Sequence, residues 1–219
     1  MAKTAITGCF STPLDGILGT RAKVGVLRVL SGVPAPLGYR EIARRSGMAY
    51  RSIELAIKEL ATLGMLERVD GSRERLVALS GSHRLAGAVL ALLRAEEDFN
   101  PALRAELRVL AEAGRKDGLL AVAIIGAGSR GRETVGEPLE LLLLATEARL
   151  AMRWQLKFEQ AGGELLRRFG VRLSLIGYDL DRARKLWRTR TPAAEQAIAT
   201  AELLAGAPIL PLLEEETET

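Results

Sequence analysis

Residues 39–64 read YREIARRSGMAYRSIELAIKELATLG, and this stretch decides the fold of the N-terminal part of the chain. Ile42 is the apolar anchor of a first short helix, and Gly47 lies where a tight turn between two helices needs a glycine. A longer helix follows, because apolar residues then recur at helical spacing: Ile53, Ala56, Ile57, Leu60 and Leu63. The stretch therefore predicts two helices around a glycine turn.

Residues 65–80 read MLERVDGSRERLVALS, two short apolar runs on either side of Asp70-Gly71. An Asp-Gly pair between such runs predicts a two-stranded hairpin, and its exposed tip carries Arg73 and Arg75. The order of a short helix, a glycine turn, a longer helix and a basic hairpin resembles that of a winged helix-turn-helix domain. In that family the N-terminal end of the second helix enters the major groove of DNA.

The resemblance implies that double-stranded DNA is the partner of this part of the chain. Its implied base-reading residues lie on the free side at the start of the second helix: Tyr50, Arg51, Ser52 and Glu54. Its implied contacts to phosphate or to the minor groove are arginines of the first helix and of the hairpin: Arg40, Arg44, Arg73 and Arg75. The alternative is a small helical core with an ordinary hairpin, but the order of the parts favours DNA binding.

Composition narrows the class of protein. The chain has 219 residues, 48% of them hydrophobic and 26% charged, which suits a globular protein of two small domains. A single cysteine, Cys9, and a single histidine, His83, exclude a disulfide framework and a zinc finger. No apolar segment reaches transmembrane length and no secretory signal is evident, so we expect a cytoplasmic protein without a membrane partner.

Positive charge is concentrated in the N-terminal part. Residues 1–94 hold 14 Lys and Arg against 7 Asp and Glu, a net charge of +7, whereas the remaining residues hold 17 against 20, a net charge of −3. Basic charge collected on one domain is expected of a protein that binds the phosphate backbone.

Three further helices are predicted around this motif. Residues 17–30 form the first, with Val24, Leu27 and Leu30 at helical spacing. A second runs from a cap at Ser82 to about residue 98, and a third begins at Pro101 and ends near residue 114. The last two are linker helices or a dimer face.

A glycine-rich loop follows an apolar strand in the second half of the chain. Residues 119–125 read LLAVAII, and residues 126–131 read GAGSRG, which matches the G-x-G-x-x-G fingerprint of dinucleotide-binding proteins. That fingerprint requires a helix directly afterwards. Here residues 133–138 read ETVGEP and a second apolar strand follows at 139–145, so a hairpin is favoured over a strand–helix–strand unit.

Residues 119 to about 210 resemble the nucleotidyltransferase family. In that family a Gly-Ser pair after the first strand binds triphosphate, and here the corresponding loop residues are Gly126, Gly128, Ser129, Arg130 and Arg132. Residues 139–144 match the strand that carries metal ligands, residues 171–178 match the third strand, and residues 179–187 match the helix after it. Winged-helix proteins joined to such a domain form a group of bacterial and archaeal regulators, which this chain resembles over nearly its whole length.

The chain departs from the family at the residues that would hold magnesium. Where the family has Asp-x-Asp, this chain has Pro138, Leu139 and Glu140, and Ser174 stands in the place of the third carboxylate. Glu137 would point away from Glu140 on a regular strand. Because phosphoryl transfer depends on metal to neutralise developing charge, we expect no catalytic residues, no metal site and no cofactor.

These observations predict an α+β protein: a winged helix-turn-helix at 14–80, linker helices at 81–116, a small mixed-sheet nucleotidyltransferase-like domain at 117–212 and an acidic, disordered tail at 213–219. The expected function is DNA-binding transcriptional regulation by a homodimer. The second domain is expected to dimerise or to bind an effector, either a nucleotide or another small molecule. The alternative is an active nucleotidyltransferase that uses Glu140 and modifies a small molecule, RNA or a partner protein.

Overall fold

A computed structural model describes residues 17–69, 75–131 and 136–214 of the protein. Helices and strands are mixed along the chain, which divides into two compact units between Glu97 and Asp98. That division lies inside the segment 81–116, which the sequence assigned to linker helices.

The helices that bear on the predicted motif are α1 (Arg21–Ser31), α2 (Tyr39–Ser46) and α3 (Tyr50–Thr62). The helix predicted over 17–30 is interrupted: residues 17 and 18 are helical, but Thr20 adopts an extended backbone, and its Oγ1 accepts a hydrogen bond from Lys23 N at 3.2 Å where α1 begins. The predicted inward face was also partly wrong, since Val26 is buried and Val24 is only half-buried.

A three-stranded antiparallel sheet completes the first unit, with strands β1 (Leu37–Gly38), β2 (Leu66–Val69) and β3 (Leu76–Leu79) in the order β1-β3-β2. The strands of the predicted hairpin are confirmed, because β2 pairs with β3 from Leu66↔Leu79 to Val69↔Leu76. Its turn and Arg73 lie outside the described residues. The short strand β1 was not predicted.

One core holds these elements together. Its most deeply buried side chains come from α1, α2, α3, the link between α3 and β2, and the sheet: Val26, Leu27, Ile42, Ile53, Ile57, Leu60, Met65 and Val77. The predicted anchors of the two central helices are therefore confirmed as core residues, except that Leu63 is half-buried. Lys23 of α1 is buried and pairs with Glu59 of α3, with Nζ 2.8 Å from Oε2.

A single long helix, α4 (Ala86–Arg115), replaces the two helices that were predicted between residues 82 and 114. Pro101 lies inside this helix and does not begin a new one. A proline in a helix removes one backbone hydrogen bond, but burial on both sides of it supports the helix. Its buried residues on the N-terminal side are Ala86, Val89 and Leu93, and those on the C-terminal side are Leu103, Leu107 and Ala111.

The second unit is built on a mixed four-stranded sheet, with strands β4 (Leu119–Ile125), β5 (Leu139–Ala145), β6 (Leu173–Asp179) and β7 (Glu202–Gly206) in the order β6-β5-β4-β7. The predicted hairpin is confirmed, since β4 and β5 pair antiparallel. β6 lies parallel to β5 and begins two residues later than predicted. The edge strand β7 was not predicted.

Helices cover both faces of this sheet. On one face, α5 (Ala148–Phe169) packs Trp154 and Phe158 against Leu141 and Leu143 of β5. On the other face, Leu142 and Leu144 join a second cluster with three helices: α6 (Leu180–Arg188), α7 (Pro192–Ala199) and α8 (Ile209–Glu214). The alternation along β5 follows from the two-residue period of a strand.

Candidate nucleic-acid interface and glycine loop

The turn between α2 and α3 fixes the exposed end of α3. Gly47 adopts a left-handed backbone with φ of 65°, and Met48 N donates to Ala43 O at 3.3 Å. The chain then enters α3 at Tyr50 without a side-chain cap. Because Ile53 and Ile57 face the core, the opposite side of the first two turns of α3 faces solvent.

The structure brings three predicted DNA-binding residues into one concave surface. Tyr39 and Arg40 of α2, Tyr50 of α3 and Arg75 line a cleft of about 290 Å³. We call these four residues the arginine cleft. Arg75 directly precedes β3, so the cleft joins the helical motif to the base of the hairpin. Tyr50 is 46% exposed, and both arginines are exposed.

A second surface runs along α3 itself, and the other predicted base-reading residues belong to it or lie beside it. It is lined by Tyr50, Arg51, Glu54, Leu55 and Lys58. Ser52 is exposed in the same turn. Leu55 and Lys58 were not predicted, although each lies four residues after Arg51 or Glu54 and therefore on the same side of the helix. Glu54 is not a free acceptor, because its Oε1 lies 3.0 Å from Lys58 Nζ.

Arg44 does not line the arginine cleft. Its Nε and Nη2 donate to the two carboxylate oxygens of Glu41, at 2.8 and 2.6 Å, and Arg45 Nε donates to the same carboxylate at 2.6 Å. These hydrogen bonds, from Arg44 first and Arg45 second, lower the pKa of Glu41 to about 2. The charge of Arg44 is therefore partly balanced within α2.

Other cations of the first unit also divide into those that form an ion pair and those that do not. Lys23 and Arg28 are paired with carboxylates, the latter with Glu96 at 2.7 Å. Arg40, Arg51 and Arg75 make no ion pair with any residue in the described part of the chain. The cleft and the start of α3 thus carry positive charge that no carboxylate of the described residues balances.

The glycine loop follows β4 as expected. Gly126 has φ of 71°, and residues 128–130 form one turn of 3₁₀ helix. Ser129 Oγ donates to Gly126 O at 3.0 Å, so the hydroxyl closes the loop on itself. Arg130 is exposed, whereas Arg132 lies outside the described residues. Among the described residues of the loop, the Gly-Ser pair belongs to this single turn of 3₁₀ helix.

Glu140 and Ser174 are direct neighbours in the parallel pair β5 and β6. The Glu140 carboxylate also lies against the loop: a Cβ added at Gly126 would stand 2.0 Å from Glu140 Oε2. Among residues 17–69, 75–131 and 136–214, no three His, Cys, Asp or Glu side chains are grouped so that they could hold a metal ion.

A basic and acidic pair, which the sequence did not indicate, lies near the same loop. Arg104 of α4 donates from Nε and Nη2 to the carboxylate of Glu202 on β7, at 2.6 and 2.7 Å. Its Nη2 is also 3.5 Å from Gly128 O. Glu202 lies near the loop because β7 pairs with β4, and β7 was not predicted from the sequence.

No helix in the described ranges is both long enough and apolar enough to cross a membrane. The chain matches no protein-family model, no curated protein and no solved structure.

Proposed function

We propose that the first unit binds duplex DNA and that the protein is a sequence-specific transcriptional regulator. The observation that carries this proposal is the arginine cleft, in which α2, α3 and the base of the hairpin contribute Arg40, Tyr50 and Arg75 to one surface. Arginines without an acidic partner are available to pair with phosphate, and phosphate contacts supply most of the non-specific affinity for DNA.

In this proposal α3 is the recognition helix of a winged helix-turn-helix. Its first turn has no acidic residue and no side-chain cap, so its free N–H groups favour a phosphate there. Arg51 then reads a base edge in the major groove, and Tyr50 and Lys58 border it on the same exposed surface. Arg40 and Arg75 contact the backbone and set the register of the helix.

The test is DNA binding measured against salt. A duplex is first selected from a random pool, and its affinity is then measured for the wild type and for Arg40→Ala with Arg75→Ala. We expect the double variant to bind about tenfold more weakly and the log–log salt slope to fall by about two, because each arginine–phosphate contact contributes about one.

A matched control removes the same charge elsewhere on the unit. Arg84 and Arg94 are exposed and make no ion pair among the described residues, and neither lines the cleft. Arg84→Ala with Arg94→Ala should leave the slope within one unit of the wild type. Equal losses in the two double variants would mean that net charge, and not the cleft, drives binding.

Specificity is tested separately with Arg51→Ala. If Arg51 makes a bidentate contact to guanine, its loss costs about 1–3 kcal/mol and relaxes the preference at one base position. An unchanged preference in a repeat selection would place base reading elsewhere.

We propose that the second unit has a nucleotidyltransferase-like fold without transferase activity and that it contributes to a homodimer. The inactivity is supported by the register that puts Ser174 beside Glu140, since the family needs a carboxylate at both places. Incorporation of labelled nucleotide with magnesium or manganese should be absent. Turnover that disappears in Glu140→Ala would establish the alternative, an active transferase.

The homodimer is supported by exposed apolar side chains on the second unit. Val109 of α4 is 73% exposed, and Met152 and Leu156 of α5 are also exposed. A dimer would let two recognition helices bind paired half-sites about one helical turn apart. Sedimentation equilibrium measures the mass of the protein in solution. Met152→Glu with Leu156→Glu should shift the protein towards the monomer if the exposed residues of α5 mediate the contact.

A further inference from the structure

One large apolar side chain on the exposed side of α3 is not used by the core. Leu55 is 52% exposed and does not belong to the hydrophobic core of the first unit. The apolar residues that α3 buries lie on its other side: Ile53, Ala56, Ile57 and Leu60. A single exposed leucine requires no explanation by itself, so what it can bind depends on its neighbours.

Leu55 lies between two cations. Arg51 precedes it by four residues and Lys58 follows it by three, which places the three side chains on one side of the helix. They line the same surface together with Tyr50 and Glu54. Arg51 makes no ion pair with the described residues, and Lys58 Nζ lies 3.0 Å from Glu54 Oε1. The leucine is therefore an apolar contact flanked by positive charge.

This combination suits the major groove of DNA better than an apolar protein surface. An apolar protein surface would cover the Arg51 guanidinium without giving it a counter-charge, which is unfavourable. DNA offers phosphate oxygens and base acceptors to the cations, and the C5 methyl group of thymine is an apolar group in the same groove. Leu55 can neither donate nor accept a hydrogen bond, so a polar base edge placed against it would lose its partner.

We propose that Leu55 is a specificity-determining residue and packs against the C5 methyl group of a thymine in the bound duplex. This inference rests on the proposed function of the first unit, and it names a base that the DNA site contains. Four residues of helix span about 6 Å, and neighbouring base pairs are about 3.4 Å apart. The thymine therefore lies within about two base pairs of the base that Arg51 contacts.

Deoxyuridine tests this contact, because it lacks only the methyl group of thymine and pairs with adenine in the same way. In the duplex selected by the wild type, the base pair whose preference is relaxed in Arg51→Ala marks the position of Arg51. Each thymine within about two base pairs of it, on either strand, is replaced singly by deoxyuridine. At one of these thymines, loss of the methyl group should weaken binding of the wild type about fourfold, the effect expected for one buried carbon group.

Two leucine variants complete the comparison. Leu55→Ala keeps the helical propensity of α3 high and should bind the thymine and deoxyuridine duplexes within about 1.5-fold of each other, since the methyl group has lost its partner. Leu92 provides the matched control, because it is 56% exposed on α4 in the same unit and does not line the surface of α3. Leu92→Ala should retain the difference between the duplexes that the wild type shows.

The outcomes separate this contact from DNA binding itself. If no selected duplex binds the wild type saturably, the proposed function fails and the thymine contact fails with it. If a duplex binds but has no methyl-sensitive thymine in that window, or if Leu55→Ala retains the wild-type difference, DNA binding stands and the role of Leu55 is refuted. Sedimentation equilibrium should give Leu55→Ala the mass of the wild type. A lower mass would assign Leu55 to a contact between subunits and overturn the proposal.

Discussion

Glu41 on α2 accepts hydrogen bonds from two arginines, and the consequence for stability has a definite sign. Its pKa is lowered from 4.5 to about 2 in the folded protein, so folding is favoured by its ionisation above pH 4.5. That contribution is lost as the pH falls from about 4.5 towards 2. Glu41→Gln should therefore be less resistant to urea than the wild type at pH 6 and equally resistant at pH 2.

A substitution of Arg44, the hydrogen-bond donor to Glu41, gives the control for that prediction. Arg44→Gln removes the largest cause of the lowered pKa while Glu41 remains. In this variant, the loss of stability between pH 6 and pH 2 should be smaller than in the wild type. If the wild type and Glu41→Gln differ by the same amount at every pH, the hydrogen bonds to Glu41 do not stabilise the fold.

Gly126 is a second residue whose identity the local geometry requires. Its φ of 71° is unfavourable for any other residue, and a Cβ would also overlap the Glu140 carboxylate. Gly126→Ala should cost about 1–3 kcal/mol of unfolding free energy, mostly from backbone strain, because the end of the Glu140 side chain can move aside at a smaller cost. Gly170 has φ of 65° and open space around its Cα, so Gly170→Ala should cost only about 1–2 kcal/mol.

A double variant separates the two causes at Gly126. Adding Glu140→Ala removes the overlapping carboxylate but leaves the backbone conformation as it was. Urea titration of Gly126→Ala with Glu140→Ala should then give a loss close to that of Gly170→Ala. No recovery in the double variant would mean that the clash is relieved by other movements.

Among the elements, α4 carries a proline where helices rarely do. Pro101 cannot donate to the carbonyl of residue 97, and its ring crowds the preceding turn. Pro101→Ala should raise the free energy of unfolding by about 1 kcal/mol or more, reduced somewhat because alanine gives the unfolded chain more freedom. Denaturation by urea, followed by far-UV circular dichroism, measures the change.

Pro192 is the natural comparison, because it occupies the first turn of α7, where an N–H would have no helical acceptor. Pro192→Ala should leave stability unchanged or lower it by up to about 1 kcal/mol. The two substitutions thus have opposite expected signs. A loss of stability in Pro101→Ala would show that the proline is favoured in its place by packing.

The elements also show what could be read from the sequence. The strands β4 and β5 were predicted to the residue, because each is a continuous apolar run bounded by turn residues. The edge strand β7 was missed, since only its pairing with β4 defines it. The proline of α4 was taken for a helix start, because burial in two cores could not be known beforehand.

In the candidate site too, local features could be predicted from the sequence, whereas features that depend on packing could not. The exposure of Tyr50 and Arg51 followed from the helical period, because the core residues of α3 could be identified. The approach of Arg40, Tyr50 and Arg75 to one another could not, since it depends on how α2, α3 and the hairpin pack. The pairing of Glu41 with Arg44, by contrast, could have been predicted from their spacing of three residues on a helix.

At the scale of the whole molecule, the chain divides into two units with separate cores, and both of its tryptophans, Trp154 and Trp187, lie in the second. Tryptophan fluorescence therefore reports the second unit, whereas far-UV circular dichroism reports both. Ile57 is fully buried in the core of the first unit. Ile57→Ala should cost that unit about 2–5 kcal/mol through the cavity it leaves.

We expect this loss to appear in circular dichroism while the fluorescence midpoint stays at the wild-type urea concentration, because each unit buries its own core. Phe158→Ala leaves a similar cavity in the core of the second unit, so it should lower the urea concentration at the fluorescence midpoint. If Ile57→Ala moves both midpoints together, the units unfold as one. The continuous helix α4 would then transmit stability between them, since it supplies buried residues to the cores of both.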